Sequence, residues 1–230
     1  MGESRVLVVD DEPKIREVLR SYLVADGFEV AEAANGDEAL AMAARLQPEV
    51  VILDVRLPGR DGFAILAELR RTSDAYVIML TARAEEIDKV LGLSLGADDY
   101  VTKPFSAREV AARVKAVLRR ARRPASEADV IDVGSLRVDG TRRIVTFRDR
   151  EIPLTTLEFD LLFALAVSPG RVFTRRQLVE QAWGWDFFGD ERVVDVHIRN
   201  LRNRLGDDAQ DPAVVATVRG VGYKLVEEPR

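Results

Sequence analysis

The stretch VVILDVRLPGRDG, Val50 to Gly62, opens as a continuous apolar run, meets a carboxylate at Asp54 and breaks into a Pro58-Gly59 turn. A short run of aliphatic and β-branched residues bounded by turn signals reads as a strand buried on both faces. Such strands belong to parallel sheets covered by helices. An acid at the end of one needs a reason.

Four more runs of the same kind lie around it. RVLVVD (Arg5 to Asp10), FEVAEA (Phe28 to Ala33), YVIMLTA (Tyr76 to Ala82) and DYVTK (Asp99 to Lys103) join EVVILD (Glu49 to Asp54) as expected strands. Helical patterns separate them. EPKIREVLRSYLVADG places Ile15, Val18, Leu19, Tyr22 and Leu23 on one face and ends on Gly27. Others run from Asp37 to Leu46, Gly62 to Arg71, Glu85 to Leu95 and Ala107 to Arg122. Alternating strands and helices predict an α/β fold, a five-stranded doubly wound parallel sheet of order 2-1-3-4-5.

The rhythm stops at RRARRPASEADV (Arg119 to Val130), which is charged, holds Pro124 and has no apolar period. We read 1–121 as one domain, 122–129 as a linker and 130–230 as a second domain. The second half carries short alternating runs over Val130 to Pro153, which predict a small antiparallel sheet. Helical patterns follow at Thr156 to Val167, Thr174 to Trp183 and Glu191 to Leu205. Two short strands around a glycine turn close it, in AVVATVRGVGYKLV (Ala213 to Val226). That is an α+β domain.

With 230 residues and 47% hydrophobic content, each half has enough material for its own core. No apolar run reaches membrane-spanning length, and the N-terminal residues have no signal-peptide pattern, so no membrane association and a cytoplasmic location are expected. There is no cysteine, which removes disulfides and thiolate metal sites. The net charge of −5 argues against a uniformly basic protein and leaves room for one local basic face.

In an open parallel sheet, ligands bind beyond the carboxyl ends of the strands. Those ends carry Asp10-Asp11, Asp54, Thr81-Ala82 and Lys103-Pro104. Packed carboxylates repel unless a cation lies between them. An all-oxygen donor set suits Mg²⁺, held by one or two carboxylates with water and phosphate. One aspartate is then left to act as a nucleophile through an acyl phosphate. Lys103 and Thr81 would meet phosphoryl oxygens. Each residue alone has a plainer reading: a turn former at Asp54, a helix cap at Asp10-Asp11, a loop signal at Lys103-Pro104. All of them at successive strand ends point to one site.

The motifs VVDDE, VILDVRLPGRDG, MLTA and DDYVTKPF resemble the receiver domain of two-component response regulators over residues 5–120. The resemblance implies that a sensor histidine kinase phosphorylates Asp54. It also implies that Asp10, Asp11, Asp54 and the backbone carbonyl of Arg56 surround Mg²⁺, and that Lys103-Pro104 is cis. Thr81 moves toward the phosphoryl group and Tyr100 swings inward. The implied output is a symmetric homodimer on the fourth helix, fifth strand and fifth helix. Its residues are Lys89, Asp98, Asp99, Glu109, Arg113, Arg119 and Arg120, with Lys89–Glu109 and Asp99–Arg113 pairing across the two-fold axis.

In the second half, the helix ERVVDVHIRNLRNRLG (Glu191 to Gly206) turns Val194, Ile198, Leu201 and Leu205 to a core. Arg192, Arg199, Arg202 and Arg204 face two acids, Glu191 and Asp195. An exposed arginine-bearing helix suits a major groove, although such a helix taken alone is more often a solvated surface. Arg219 at the hairpin turn is placed to reach a minor groove. His197, the sole histidine, has no neighbouring ligand for a metal; it reads as packed or DNA-facing.

EIPLTTLEFDLLFALAVSPGRVFTRRQL, VVDVHIRNLRNRL and TVRGVGYKL together resemble the winged-helix DNA-binding domain of the OmpR/PhoB family. By that resemblance Arg192, Val196, His197, Arg199, Asn200 and Arg202 line the DNA face, and Thr217 and Arg219 contact backbone or minor groove. Many relatives carry a basic residue where this chain has Asn200, which shifts the base preference toward adenine geometry. The loop Trp183 to Glu191 is the implied contact for RNA polymerase. The expected function is a phosphorylation-controlled transcriptional regulator on tandem DNA half-sites.

Three other readings compete. An aspartyl-phosphate phosphohydrolase would want a second acid two residues after Asp54, where Arg56 stands, so at most slow self-dephosphorylation is expected. A constitutive DNA binder, and a regulator of RNA or protein, are the others.

Overall fold

The computed structural model describes residues 4–82, 96–121, 130–184 and 191–226, with side chains omitted at 119–121. Two compact units divide the chain, Met1–Ala121 and Arg122–Arg230. The expected helix at 85–95 with Lys89 and the linker at 122–129 lie outside the described residues. So does most of the loop from Trp183 to Glu191, and Arg119 and Arg120 are described by backbone alone.

The first unit is a parallel sheet of order β2-β1-β3-β4-β5: β1 Arg5–Val9, β2 Glu29–Ala33, β3 Val50–Asp54, β4 Tyr76–Ala82 and β5 Asp99–Lys103. Helices α1 (Pro13–Ala25), α2 (Gly36–Leu46), α3 (Gly62–Thr72) and α4 (Ala107–Ala121) connect and cover it. Side chains alternate across the strands. Leu7, Val9, Val51, Leu53, Val77 and Met79 form one core with Ala39 and Ala43 of α2 and Ile65, Leu66 and Leu69 of α3. The alternate strand residues, among them Val6, Val8, Ile52 and Leu80, face the other way. All of β3 is buried, as its unbroken apolar run requires.

Local chemistry sets the helix starts. Pro13 opens α1, Asn35 caps α2 by accepting from the Glu38 amide, and Asp61 caps α3 by accepting from Phe63. One expectation fails on α1: Leu19 and Leu23 are fully buried, but Val18 and Tyr22 stand 48% and 47% exposed. Apolar periodicity overstates the contact face of this helix, because only its narrow inner stripe reaches the sheet.

The second unit starts with a four-stranded antiparallel sheet, β6 (Val130–Val133), β7 (Leu136–Asp139), β8 (Ile144–Phe147) and β9 (Arg150–Glu151). Helices α5 (Thr156–Ala166), α6 (Arg175–Ala182) and α7 (Val193–Leu205) follow. Capping boxes start α5 at Thr155 with Glu158 and α6 at Thr174 with Gln177. A second sheet has the order β10-β12-β11, from Phe173–Thr174, Gly222–Leu225 and Val215–Val218. The two residues of β10 are too few to show a pattern in sequence. Their pairing needs a glycine: a Cβ at Gly222 would lie 2.0 Å from the Phe173 carbonyl oxygen.

Candidate functional site

At the carboxyl edge of the first sheet, β1 runs into Asp10 and the neighbouring β3 ends on Asp54. Asp10 is fully buried, Asp54 is buried, and Asp11 is exposed. One carboxylate oxygen from each lies within 4.8 Å of the others. Lys103, at the end of β5, places Nζ 2.9 Å from Asp10 Oδ2 and 2.9 Å from Asp54 Oδ2. Thr81 is buried on β4 between them in sheet order. The Lys103-Pro104 peptide is cis.

The backbone around the acids is tightly held. The Asp10 carboxylate accepts from the Glu12 amide at 2.9 Å, and Arg16 Nη1 donates to the Asp10 and Asp11 carbonyls at 2.7 and 3.1 Å. The Arg56 amide donates to the Asp54 carboxylate. Gly62 explains the end of the opening stretch: a Cβ there would come 2.3 Å from the Asp54 carbonyl oxygen. Only glycine lets α3 begin so close behind the acid.

Burial pushes the Asp54 carboxyl above its ordinary range, and the hydrogen bond and charge of Lys103 offset only part of it. Burial also opposes the Lys103 ammonium, but hydrogen bonds to Asp10 and Asp54 more than compensate and its pKa is raised. The site thus holds one fixed cation among three acids. The oxygen-only donor set fits a small hard divalent ion, with Asp10, Asp11 and Asp54 as the side chains that would hold it.

Tyr100, on β5, is partly buried against the core of the first unit. The expected dimer residues are placed differently from one another. Asp98 is 1% exposed and accepts from Arg70 and from the Val77 amide. Arg113 donates to Asp99 at 2.7 Å and to Glu109 at 2.8 Å within one chain. Burial raises the Asp99 pKa against the opposing charge of Arg113.

In the second unit, α7 begins at Val193; Glu191 and Arg192 form the turn before it. Val194, Ile198 and Leu201 are fully buried and Leu205 is buried, as expected. Arg192 and Arg199 are exposed, and Val196 and Asn200 partly so. Two expected DNA-facing residues point inward instead. His197 is 1% exposed, with its ring edge-on to Trp183 at 5.4 Å. Arg202 is 8% exposed and donates to the Val215 carbonyl at 2.6 Å and to Thr217 Oγ1 at 2.8 Å. The cause is the strand pair behind the helix, which offers Arg202 acceptors that water would otherwise supply. Arg204 is also occupied, 2.8 Å from the buried Glu158 carboxylate. Of the four arginines, Arg192, Arg199 and Arg204 are exposed, and Arg202 is the one the interior takes in. Thr217 and Arg219 are exposed on the hairpin.

Three features escaped sequence reasoning. Arg16 holds the carbonyls of Asp10 and Asp11, and no periodic signal marks it. Asp195 counted only as a charge offset, yet its Oδ1 accepts from Tyr223 and from Arg175, each at 2.7 Å. Burial and that carboxylate push the Tyr223 phenol up to about 12. Asp207 accepts three backbone amides, Ala213, Val214 and Val215, pinning the chain between α7 and β11. A lone acid inside or just after a basic helix is the available hint for the last two.

A five-stranded receiver-type sheet with an acidic strand-end site, joined to a three-helix unit ending in a β-hairpin, defines a response regulator with a winged-helix output. Comparison with known proteins agrees. Residues 6–115 match the response regulator receiver domain, and residues 149–225 match the C-terminal domain of transcriptional regulatory proteins. The DNA-binding response regulator MtrA of Mycolicibacterium smegmatis is 46% identical over 220 residues, covering 96% of each chain. The alkaline phosphatase synthesis transcriptional regulatory protein PhoP of Bacillus subtilis is 44% identical over 235 residues, covering 98% of each. Among solved structures, the Thermotoga maritima OmpR/PhoB homologue DrrB is 33% identical with a TM-score of 0.53, covering 98% of this chain and 100% of that one. A RitR mutant reaches a TM-score of 0.78 at 28% identity, covering 97% and 99%. The chain belongs to the OmpR/PhoB family of two-component response regulators. It is a transcription factor with an acidic phosphoacceptor site.

Proposed function

We propose that Asp54 is the phosphoacceptor of a Mg²⁺-dependent switch that controls DNA binding. A carboxylate oxygen of Asp54 attacks phosphorus of a sensor kinase's phosphohistidine; the new O–P bond forms as the P–N bond breaks and the imidazole leaves. Asp10, Asp11, Asp54 and the Arg56 carbonyl would hold the cation, which when bound offsets charge on the phosphoryl oxygens. Lys103 pairs with one of those oxygens and Thr81 donates to another. Tyr100, two residues before Thr102, the register partner of Thr81, moves into the space that Thr81 leaves. The observation that carries this reading is Lys103 Nζ at 2.9 Å from both Asp10 and Asp54, at the open edge of the sheet.

The output in this reading is a receiver homodimer through residues 85–95, β5 and α4, using Lys89, Asp99, Glu109, Arg113 and Arg120. Asp98 joins it only by leaving Arg70. Dimerisation raises the effective concentration of the second DNA-binding unit at tandem half-sites. We assign 1–121 to the phosphoacceptor domain, 122–129 to a linker and 130–230 to the DNA-binding domain. Arg192, Val196, Arg199, Asn200, Thr217 and Arg219 meet duplex DNA, with His197 and Arg202 supporting them from inside. Residues 183–191 meet RNA polymerase. The protein acts in the cytoplasm, and no described helix is long and apolar enough to cross a membrane. Turnover is limited to slow self-dephosphorylation.

The test is incubation with Mg²⁺ and a small acyl phosphate beside Asp54→Ala, with intact mass and sedimentation recorded together. An adduct on the wild type alone, with a shift to dimer, supports the reading. Absence of an adduct on folded, Mg²⁺-binding protein would sink it.

A further inference from the structure

The hairpin and α7 are joined at two points along their length. At the first turn of α7, one oxygen of Asp195 accepts from the Tyr223 hydroxyl on β12 and from Arg175 Nε at the start of α6. Two helical turns later, Arg202 donates to the Val215 carbonyl and the Thr217 hydroxyl on β11. The Tyr223 ring lies between them, with the Arg175 and Arg202 guanidinium groups 5.5 and 5.8 Å from its centroid. Tyr223 is 5% exposed. Its phenol is therefore a mostly buried donor to a charged, partly exposed acceptor, a charge-assisted and directional hydrogen bond.

We infer that Asp195 and Tyr223 are positioning residues that lock the hairpin to α7, so that the Arg219 contact with one groove and the Arg199 contact with the adjacent groove are energetically coupled. This rests on the reading of α7 and the hairpin as the DNA face. The physical reason is entropic. The two-residue β10 is the hairpin's one further strand and pairs with β12 alone, so bonds from both hairpin strands to α7 add to its anchoring. Fixing both of its strands to α7 before binding removes an ordering cost that would otherwise be taken from the minor-groove contact. Arg175 has a second part in this. It neutralises the Asp195 carboxylate, which would otherwise repel phosphate from the middle of a basic face.

The test is a double-mutant cycle in the full chain with Tyr223→Phe and Arg219→Ala, on a duplex recovered from a random-sequence pool by the wild type. Tyr223→Phe keeps the ring and loses the bond to Asp195. It is expected to weaken binding by about two- to tenfold, the scale of one net hydrogen bond. Hydroxyl-radical protection of the minor groove should fade before guanine-N7 protection in the major groove. Arg219→Ala should cost less in the Tyr223→Phe background than in the wild type. Equal cost in both backgrounds, with uniform loss of protection, overturns the coupling while leaving the DNA-face reading intact. No cost of Arg219→Ala in the wild type overturns that reading and the inference with it. Asp195→Ser removes the shared acceptor from the helix side; it should reproduce the loss of coupling, and its failure to do so in a folded protein counts against the lock.

Discussion

Lys103 Nζ sits 2.9 Å from Asp54 Oδ2 although the two residues lie on strands separated by β4. The lysine crosses the open end of the sheet to reach the acid, and it reaches Asp10 at the same distance. One ammonium thus bridges two buried carboxylates that would otherwise repel each other. Removing it leaves both acids with a missing charge-assisted partner, and such bonds contribute about 1.5–3 kcal/mol each. Lys103→Met is expected to lower the metal-free melting temperature and to tighten Mg²⁺ binding, because the competing cation is gone. Metal-free thermal melts check the first sign and calorimetric titration of Mg²⁺ the second; weaker Mg²⁺ binding in the variant contradicts the arrangement.

Asp54 carries the opposite balance. Its pKa in the folded chain is raised above 3.8 by burial. The native state therefore holds more protons than the unfolded state between 3.8 and the raised value, and stability falls as pH rises through that window. Asp54→Asn removes this fall. At neutral pH and without metal, the variant should melt higher than the wild type; a gain of about 1 kcal/mol corresponds to roughly 4 °C in a unit of this size. The wild-type minus variant difference across the acid range isolates the group, since Asp99 is common to both.

Mg²⁺ should reverse that order. Ligand present at a hundredfold over its dissociation constant stabilises by about 2.7 kcal/mol. The wild type is expected to gain stability on adding Mg²⁺ and to lose it on chelation, with a smaller change in Asp54→Asn. The gain should shrink as pH falls through the raised Asp54 pKa, because the protonated acid is a poor ligand. Thermal melts with Mg²⁺ and with chelator at several pH values measure it.

Dimerisation is better probed at Glu109 than at Arg113. Arg113 is 9% exposed and serves both Asp99 and Glu109. Breaking a buried pair by reversing one partner costs about 3–5 kcal/mol, so Arg113→Glu is expected to destabilise the receiver before it reports on assembly. Glu109→Lys, at a partly exposed position, should keep the fold and abolish the phosphorylation-dependent shift in sedimentation. An unchanged shift removes Glu109 from the interface.

Gly222→Ala tests the strand pairing that carries the hairpin. The added Cβ meets the Phe173 carbonyl at 2.0 Å, which forces β10 and β12 apart. Overpacking of this kind costs about 1–3 kcal/mol. Loss of DNA affinity is expected together with a lower melting transition of the second unit, while acyl-phosphate labelling of Asp54 stays unchanged.

Much of this protein was legible in its order of residues. Apolar runs ending in Asp10, Asp54, Thr81 and Lys103 specify parallel strands and name their chemical ends, because a side chain at the carboxyl edge has nowhere to go but the common cleft. Core positions on α7 followed from helical spacing for the same reason of simple geometry. Tertiary structure alone decided which polar side chains the interior claims. Val18 and Tyr22 share the apolar period of α1 but fall beyond the strip that the sheet covers. Arg202 shares the charge of α7 with Arg199 and Arg204, yet the Val215 carbonyl and Thr217 draw it away from solvent. Periodicity reports the angle at which a side chain leaves its helix. Whether a charged group on that angle faces water or a buried acceptor depends on what another part of the chain, many residues away, brings within hydrogen-bond reach.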